Sequence, residues 1–145
     1  MINIICVGKI KEDYLKELIS DYTKRISKYH KINICELKEE SNLELEAKNM
    51  SKIIKPNDYV IALCIEGTKL DSVSLSNLIN ETFNHYGTID FIIGESNGIS
   101  PLIKSRANYL LSFSDMTFPH GLFRGILLEQ IYRSFKIINN ESYHK

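Results

Sequence analysis

Three polar loops directly follow apolar runs in this chain: Glu66-Gly67-Thr68 after Ile65, Gly94-Glu95-Ser96-Asn97-Gly98 after Ile93, and Phe113–Phe118. In an open parallel sheet, ligands bind beyond the carboxyl ends of the strands. Glycine there lets backbone N–H and C=O groups come close to a ligand. Any one of the loops alone reads as a turn; three converging on one sheet edge make a pocket. Two arginines, Arg124 and Arg133, lie nine positions apart on one apolar stretch, about two and a half helical turns, and so point to different faces. Arg124 needs a partner, because an unpaired buried charge is costly. Two readings stay open for it: an ion pair with an acid such as Glu129, or a contact with phosphate or the carboxylate of a small ligand. The tail Tyr143-His144-Lys145 is either a frayed end or a set suited to RNA: an aromatic to stack, an imidazole that titrates near neutrality, and a cation.

Several chemistries are not signalled. There is no GxGxxG, no GxxxxGK[ST] and no GxSxG, so dinucleotide, P-loop and nucleophile-elbow sites lack their signatures. His30, His85, His120 and His144 have no metal-ligand spacing with one another or with a cysteine, and no metal is expected. Cys6, Cys35 and Cys64 each sit in an apolar run, form no CxxC pair, and read as buried, inert thiols in a reducing compartment. Net charge is zero, which gives no bulk attraction to nucleic acid. Residues 101–145 nevertheless carry six Lys or Arg against three acids, a balance of +3 offset by −3 in the first hundred residues. No basic segment precedes an apolar stretch at the N-terminus, and the longest apolar run, about seven residues, is far below the ~20 that span a bilayer. A soluble cytoplasmic protein is expected.

The elements that must position these loops alternate in type. Strands are expected at Asn3–Val7, Ile32–Leu37, Tyr59–Ile65 and Ile89–Ile93, with a further one at Tyr109–Phe113. Between them, helical spacing runs from Glu12 to about Tyr29, through Leu43, Ala47, Met50 and Ile54 after a cap at Ser41 or Asn42, and through Leu75 to Tyr86 after a cap at Ser74. Ser100-Pro101 fits an N-cap and first helical residue for a short helix to Arg106. A long helix from about His120 to Ile138 is apolar nearly all round, so one face packs on the sheet and the remainder calls for a partner subunit. The order predicts one α/β domain over residues 1–145, a mostly parallel sheet with helices on both faces.

The run from Leu111 to His120 (LSFSDMTFPH), then Leu128–Arg133 (LEQIYR) and the terminal Tyr143-His144-Lys145, resembles the RlmH family, the SPOUT-class 23S ribosomal RNA pseudouridine N3-methyltransferases. Ile4–Lys9, Ala62–Gly67 and Ile93-Gly94 fit the same pattern, so the resemblance spans the whole chain. It implies a deep trefoil knot in the C-terminal part, S-adenosylmethionine as methyl donor, and a homodimer with 23S rRNA, within the assembled ribosome, between the subunits. By resemblance Leu63, Gly94, Phe113, Ser114, Asp115, Met116, Thr117 and Phe118 line the cofactor site, and Arg124, Arg133, Tyr143, His144 and Lys145 meet the RNA. His144, Tyr143 and Arg124 are the candidate catalytic residues, with His144 as base and Arg124 or Lys145 stabilising the target's anion. Three positions depart from the family: Glu95 replaces a second glycine, and Gly121 and Gly125 replace larger residues at a cost of roughly 1 kcal/mol each in a helix. Those departures motivate an alternative, an RNA-binding protein of the same fold with impaired catalysis. A flavin or nucleotide binder on a similar sheet is disfavoured by the missing phosphate loops.

Overall fold

The structure, a computed structural model, describes residues 1–145. Five parallel strands, β1 (Ile2–Val7), β2 (Ile32–Leu37), β3 (Tyr59–Lys69), β4 (Ile89–Ile93) and β5 (Tyr109–Ser112), lie in the order β2-β1-β4-β3-β5. The helices are α1 (Asp13–Ile26), α2 (Leu43–Ile53), α3 (Ser72–Phe83), α4 (Pro101–Arg106) and α5 (His120–Ile138). Side chains alternate across each strand. Ile2, Ile4 and Cys6 of β1 join Ile61 and Phe91 under α1, α3 and α5, while Ile5 and Val7 join Val60, Ala62 and Ile92 under α2 and α4. The expected α/β class, parallel sheet and two-sided covering are what the chain adopts.

Local chemistry sets the helix starts. The side chain of Asn42 accepts from Leu45 N at 2.9 Å and caps α2. Helix α3 begins earlier than its apolar spacing suggests: Asp71, not Ser74, is the cap, accepting from Ser74 N at 2.7 Å. Ser100 caps α4 with Pro101 in its first turn, as expected. Strand β3 overruns its apolar core by four residues, to Lys69, with a consequence for the site.

Helix α5 is buried more fully by its own chain than its sequence suggests. Arg124, Gly125, Leu127, Leu128 and Ile131 are all buried, and Leu122, at 39 % exposure, is its one large apolar residue in the exposed class. The two glycines explain the close packing. A Cβ on Gly121 would press on Leu15 Cδ1 at 2.8 Å, and one on Gly125 would collide with Leu18. These positions let α1 lie directly against α5, so the propensity cost is offset by apolar contact and the helix runs unbroken.

At the opposite end of the sheet from the three loops, a pair of acids is buried. Asp90 is 0 % exposed and Asp58 6 %. Asn3 Nδ2 donates to Asp90 Oδ1 at 2.8 Å, while Oδ2 has no donor. Asp58 accepts from Lys55 N at 3.0 Å. Burial first, and then the neighbouring Asp58 carboxyl, push Asp90 up to about 7. An unfolded aspartate releases its proton near 4. The folded chain therefore holds an extra proton between roughly pH 4 and 7, and stability falls as pH rises through that window. Asp90→Asn supplies an uncharged amide in place of the carboxyl. Denaturant titrations at pH 5 and pH 8 should show the variant gaining about 2 kcal/mol on the wild type across that interval; a constant difference at both pH values would mean that Asp90 is ionised throughout.

Candidate active site

The three loops converge. Leu63 of β3 pairs with Leu111 of β5, and Thr68 then pairs with Leu111 again. Residues 64–67 are thereby pushed out of the ladder as a bulge. Gly67 sits where a Cβ would lie 2.7 Å from the backbone carbons of Leu110 and Leu111, so the bulge closes directly on β5. After β4, a Cβ on Gly94 would collide with the Gly98 carbonyl. Gly98 N donates to Glu95 O at 2.8 Å, and Gly98 has φ +82°, closing the loop in a conformation suited to glycine. The third wall follows β5. Ser112 Oγ donates to Ser114 O at 3.3 Å and Met116 N to Ser114 Oγ at 3.0 Å. Phe113 and Phe118 pack on Phe123 of α5, with ring centroids 5.1 and 5.9 Å away.

Between these walls lies a cleft of about 260 Å³, open on one side. Small-molecule pockets start near 300 Å³, so a nucleoside-sized ligand fits with one end toward solvent. Of the residues expected there, Leu63, Gly94, Phe113, Ser114, Met116, Thr117 and Phe118 line the cleft. Asp115 does not; its carboxylate turns outward to Lys69 Nζ at 2.5 Å. Glu66, in the first of the expected loops, lines the cleft, whereas sequence reasoning missed Cys64 and Ile65 on the bulge, Lys104 on α4, and His120. The signal for the bulge was the Gly67 that follows them; nothing in the spacing points to Lys104. Glu66 and Lys104 form an ion pair at the rim, which holds the Glu66 carboxyl below its usual range. Cys64 faces the cleft rather than the core, yet burial raises its thiol and leaves it a poor nucleophile.

The basic residues divide. Arg124 is 3 % exposed; its Nη2 donates to Val7 O and Gly8 O, each at 2.8 Å, and its Nη1 to Glu36 Oε2 at 2.7 Å. Its partner is thus Glu36, not Glu129, and its Nε is buried with no hydrogen-bond partner. Glu129 serves Arg133 at 2.7 Å. Arg133 also lies 4.8 Å over the Tyr143 ring and donates to His144 Nδ1 at 3.0 Å, so the tail folds onto the end of α5. With Nδ1 accepting from the arginine, Nε2 is the ring nitrogen left to donate. Tyr143 donates to Glu129 Oε1 at 3.2 Å, and burial first pushes its phenol up to about 12, so it keeps its proton at neutral pH. Lys145 is exposed at the end of the chain. From His120 at the cleft to Arg133 under the tail, α5 rises roughly 20 Å, so one chain keeps the two groups apart.

This geometry defines an α/β ligand-binding domain whose cleft is built largely from backbone at the carboxyl ends of β3, β4 and β5. A family model described as "Predicted SPOUT methyltransferase" matches residues 1–144, and the chain belongs to that family. It is 50 % identical to a Clostridium botulinum protein named "Ribosomal RNA large subunit methyltransferase H", with 99 % of each chain covered. A protein of the same name from Caldicellulosiruptor saccharolyticus is 46 % identical over the whole of both chains. Among solved structures, a probable methylase family protein from Haemophilus influenzae aligns with TM-score 0.58 at 14 % identity, covering 99 % of this chain and 70 % of that one, a likeness of fold alone.

If backbone closeness at Gly67 shapes the cleft, Gly67→Ala should cost about 1–3 kcal/mol, because the added carbon must push β5 away. Chemical denaturation measures this. A loss below about 0.5 kcal/mol would show that the bulge moves freely.

Proposed function

We propose that this protein methylates N3 of a pseudouridine in 23S ribosomal RNA, using S-adenosylmethionine and acting as a homodimer on the ribosome. The observation that carries this reading is identity of 46–50 % over 99–100 % of the chain to proteins named as large-subunit ribosomal RNA methyltransferases. The cleft fits such a donor: apolar walls at Leu63, Phe113 and Phe118 suit an adenine ring. When bound, the cofactor supplies an electrophilic methyl group on a sulfonium.

The protein's own contribution is positioning. Leu63, Gly94, Ser114 and the Met116–Phe118 segment hold the donor, and Asp115 steadies that segment from outside through Lys69. The tail addresses the RNA. Tyr143 is held by Glu129 and Arg133, His144 offers Nε2–H to a base carbonyl, and Lys145 offers a cation to phosphate. A donor at the carbonyl beside N3 favours loss of the N3 proton, because the resulting charge spreads onto that oxygen. Arg124 acts as a clamp within the scaffold, and Arg133 as the support of His144.

The distance along α5 argues for two copies: a partner can bring its tail to this chain's cleft. Met116, at 76 % exposure, and Leu122 beside the cleft supply apolar surface for that contact. No helix is long and apolar enough to cross a membrane, and ribosomes are the stated substrate, so we take the protein to work in the cytoplasm. The impaired-catalysis alternative rested on three departures. Gly121 and Gly125 serve helix packing, and Glu95 leaves the cleft open.

The test is transfer of labelled methyl from S-adenosylmethionine to ribosomes lacking the modification. Label should appear in 23S RNA with wild type and drop at least tenfold with His144→Ala, a loss of one charge-assisted contact. No label from folded wild type would overturn the reading.

A further inference from the structure

One residue in the cleft is unexplained by the scaffold. Glu66 and Lys104 neutralise one another at the rim, and Asp115 is spent on Lys69 outside. Glu95 has no comparable partner. Its side chain is 22 % exposed, it lines the cleft, and its carboxylate accepts no hydrogen bond from the protein. Oε2 lies over Gly8, 3.4 Å from where a Cβ there would stand. Oε1 is 3.4 Å from His120 Nε2, a ring that bears charge only when protonated, and no hydrogen bond joins them. A part-buried carboxylate that takes no hydrogen bond from the protein is open to a cationic ligand in the cleft.

We infer that Glu95 is a charge-selective element of the cleft, facing the sulfonium of the methyl donor and favouring it over the uncharged product. This rests on the proposed use of S-adenosylmethionine. The donor and its demethylated product, S-adenosylhomocysteine, share adenine, ribose, ammonium and carboxylate, and differ by the methyl group and the positive charge on sulfur. A carboxylate a few ångströms from that sulfur in a part-buried cleft attracts one and is indifferent to the other. Transfer of the methyl group leaves the sulfur as a neutral thioether while the acceptor nitrogen loses its proton to solvent, so the attraction ends once the reaction is complete. The residue that departs from the family at position 95 would thus hasten product exchange.

Calorimetric titration of the wild-type protein with S-adenosylmethionine and, separately, with S-adenosylhomocysteine tests this, alongside Glu95→Gln and Glu95→Gly. The glycine variant restores the residue that the family carries and secures the test if the amide variant folds poorly. Wild type should prefer the charged ligand, and both variants should lower that preference by about tenfold, chiefly by weakening the charged ligand. If both ligands weaken equally, Glu95 contacts a shared group such as the ammonium or ribose, and the inference is overturned. If neither weakens, it is likewise overturned. Failure of wild type to bind either ligand would instead remove the cofactor reading itself.

Discussion

A guanidinium buried in an apolar layer must find acceptors, and Arg124 finds three: the carbonyls of Val7 and Gly8 where β1 ends, and the carboxylate of Glu36 on β2. Glu36 also accepts from Ile10 N at 3.0 Å, so the same carboxylate ties down the chain as it leaves β1. This clamp sets where α5 crosses the carboxyl edge of the sheet. Once α5 is fixed there, its first turns deliver His120 and Phe123 to the cleft, and Gly121 and Gly125 allow α1 to close over it. Removing the arginine would take a donor from two carbonyls and the counter-charge from Glu36 at the point from which the rest of the helix is aimed.

The consequence is a division of labour along one helix. The end near the clamp faces the cleft; at the far end Arg133, Glu129, Tyr143 and His144 interlock, and under the proposed function these two ends serve the methyl donor and the acceptor base. A rigid helix cannot bring its two ends together. On this account the second subunit is part of the chemistry, since it brings an acceptor-binding tail to a donor-binding cleft. Backbone-rich walls at Gly67 and Gly94 keep the cleft in one shape and leave selectivity to the few side chains that enter it.

Much of this was legible before any coordinates. The continuous apolar run Tyr59–Ile65 identifies a strand whose centre, Val60–Leu63, is buried on both faces, and Gly67 and Gly94 mark where backbone must come close. What stayed hidden are long-range pairings. Composition cannot say that Arg124 reaches Glu36 across the sheet rather than Glu129 one turn away, nor that Asp115 swings out to Lys69. The β3 overrun was missed because Thr68 and Lys69 are polar, and their pairing with β5 exists only once β5 is in place. The penalty assigned to Gly121 and Gly125 assumed a helix in isolation, where tertiary contact with Leu15 and Leu18 decides instead.

The two-copy site is tested most directly by mixing two defective chains. One carries Thr117→Trp, which crowds its cleft from an exposed position; the other lacks residues 143–145 and keeps its cleft. Each alone should form inactive dimers. The account predicts that the purified mixed dimer methylates ribosomes at about half the wild-type rate, because one intact cleft meets one intact tail. An inactive mixed dimer, with S-adenosylmethionine still bound to the truncated chain, would show that cleft and tail serve each other within a single subunit and would contradict the account.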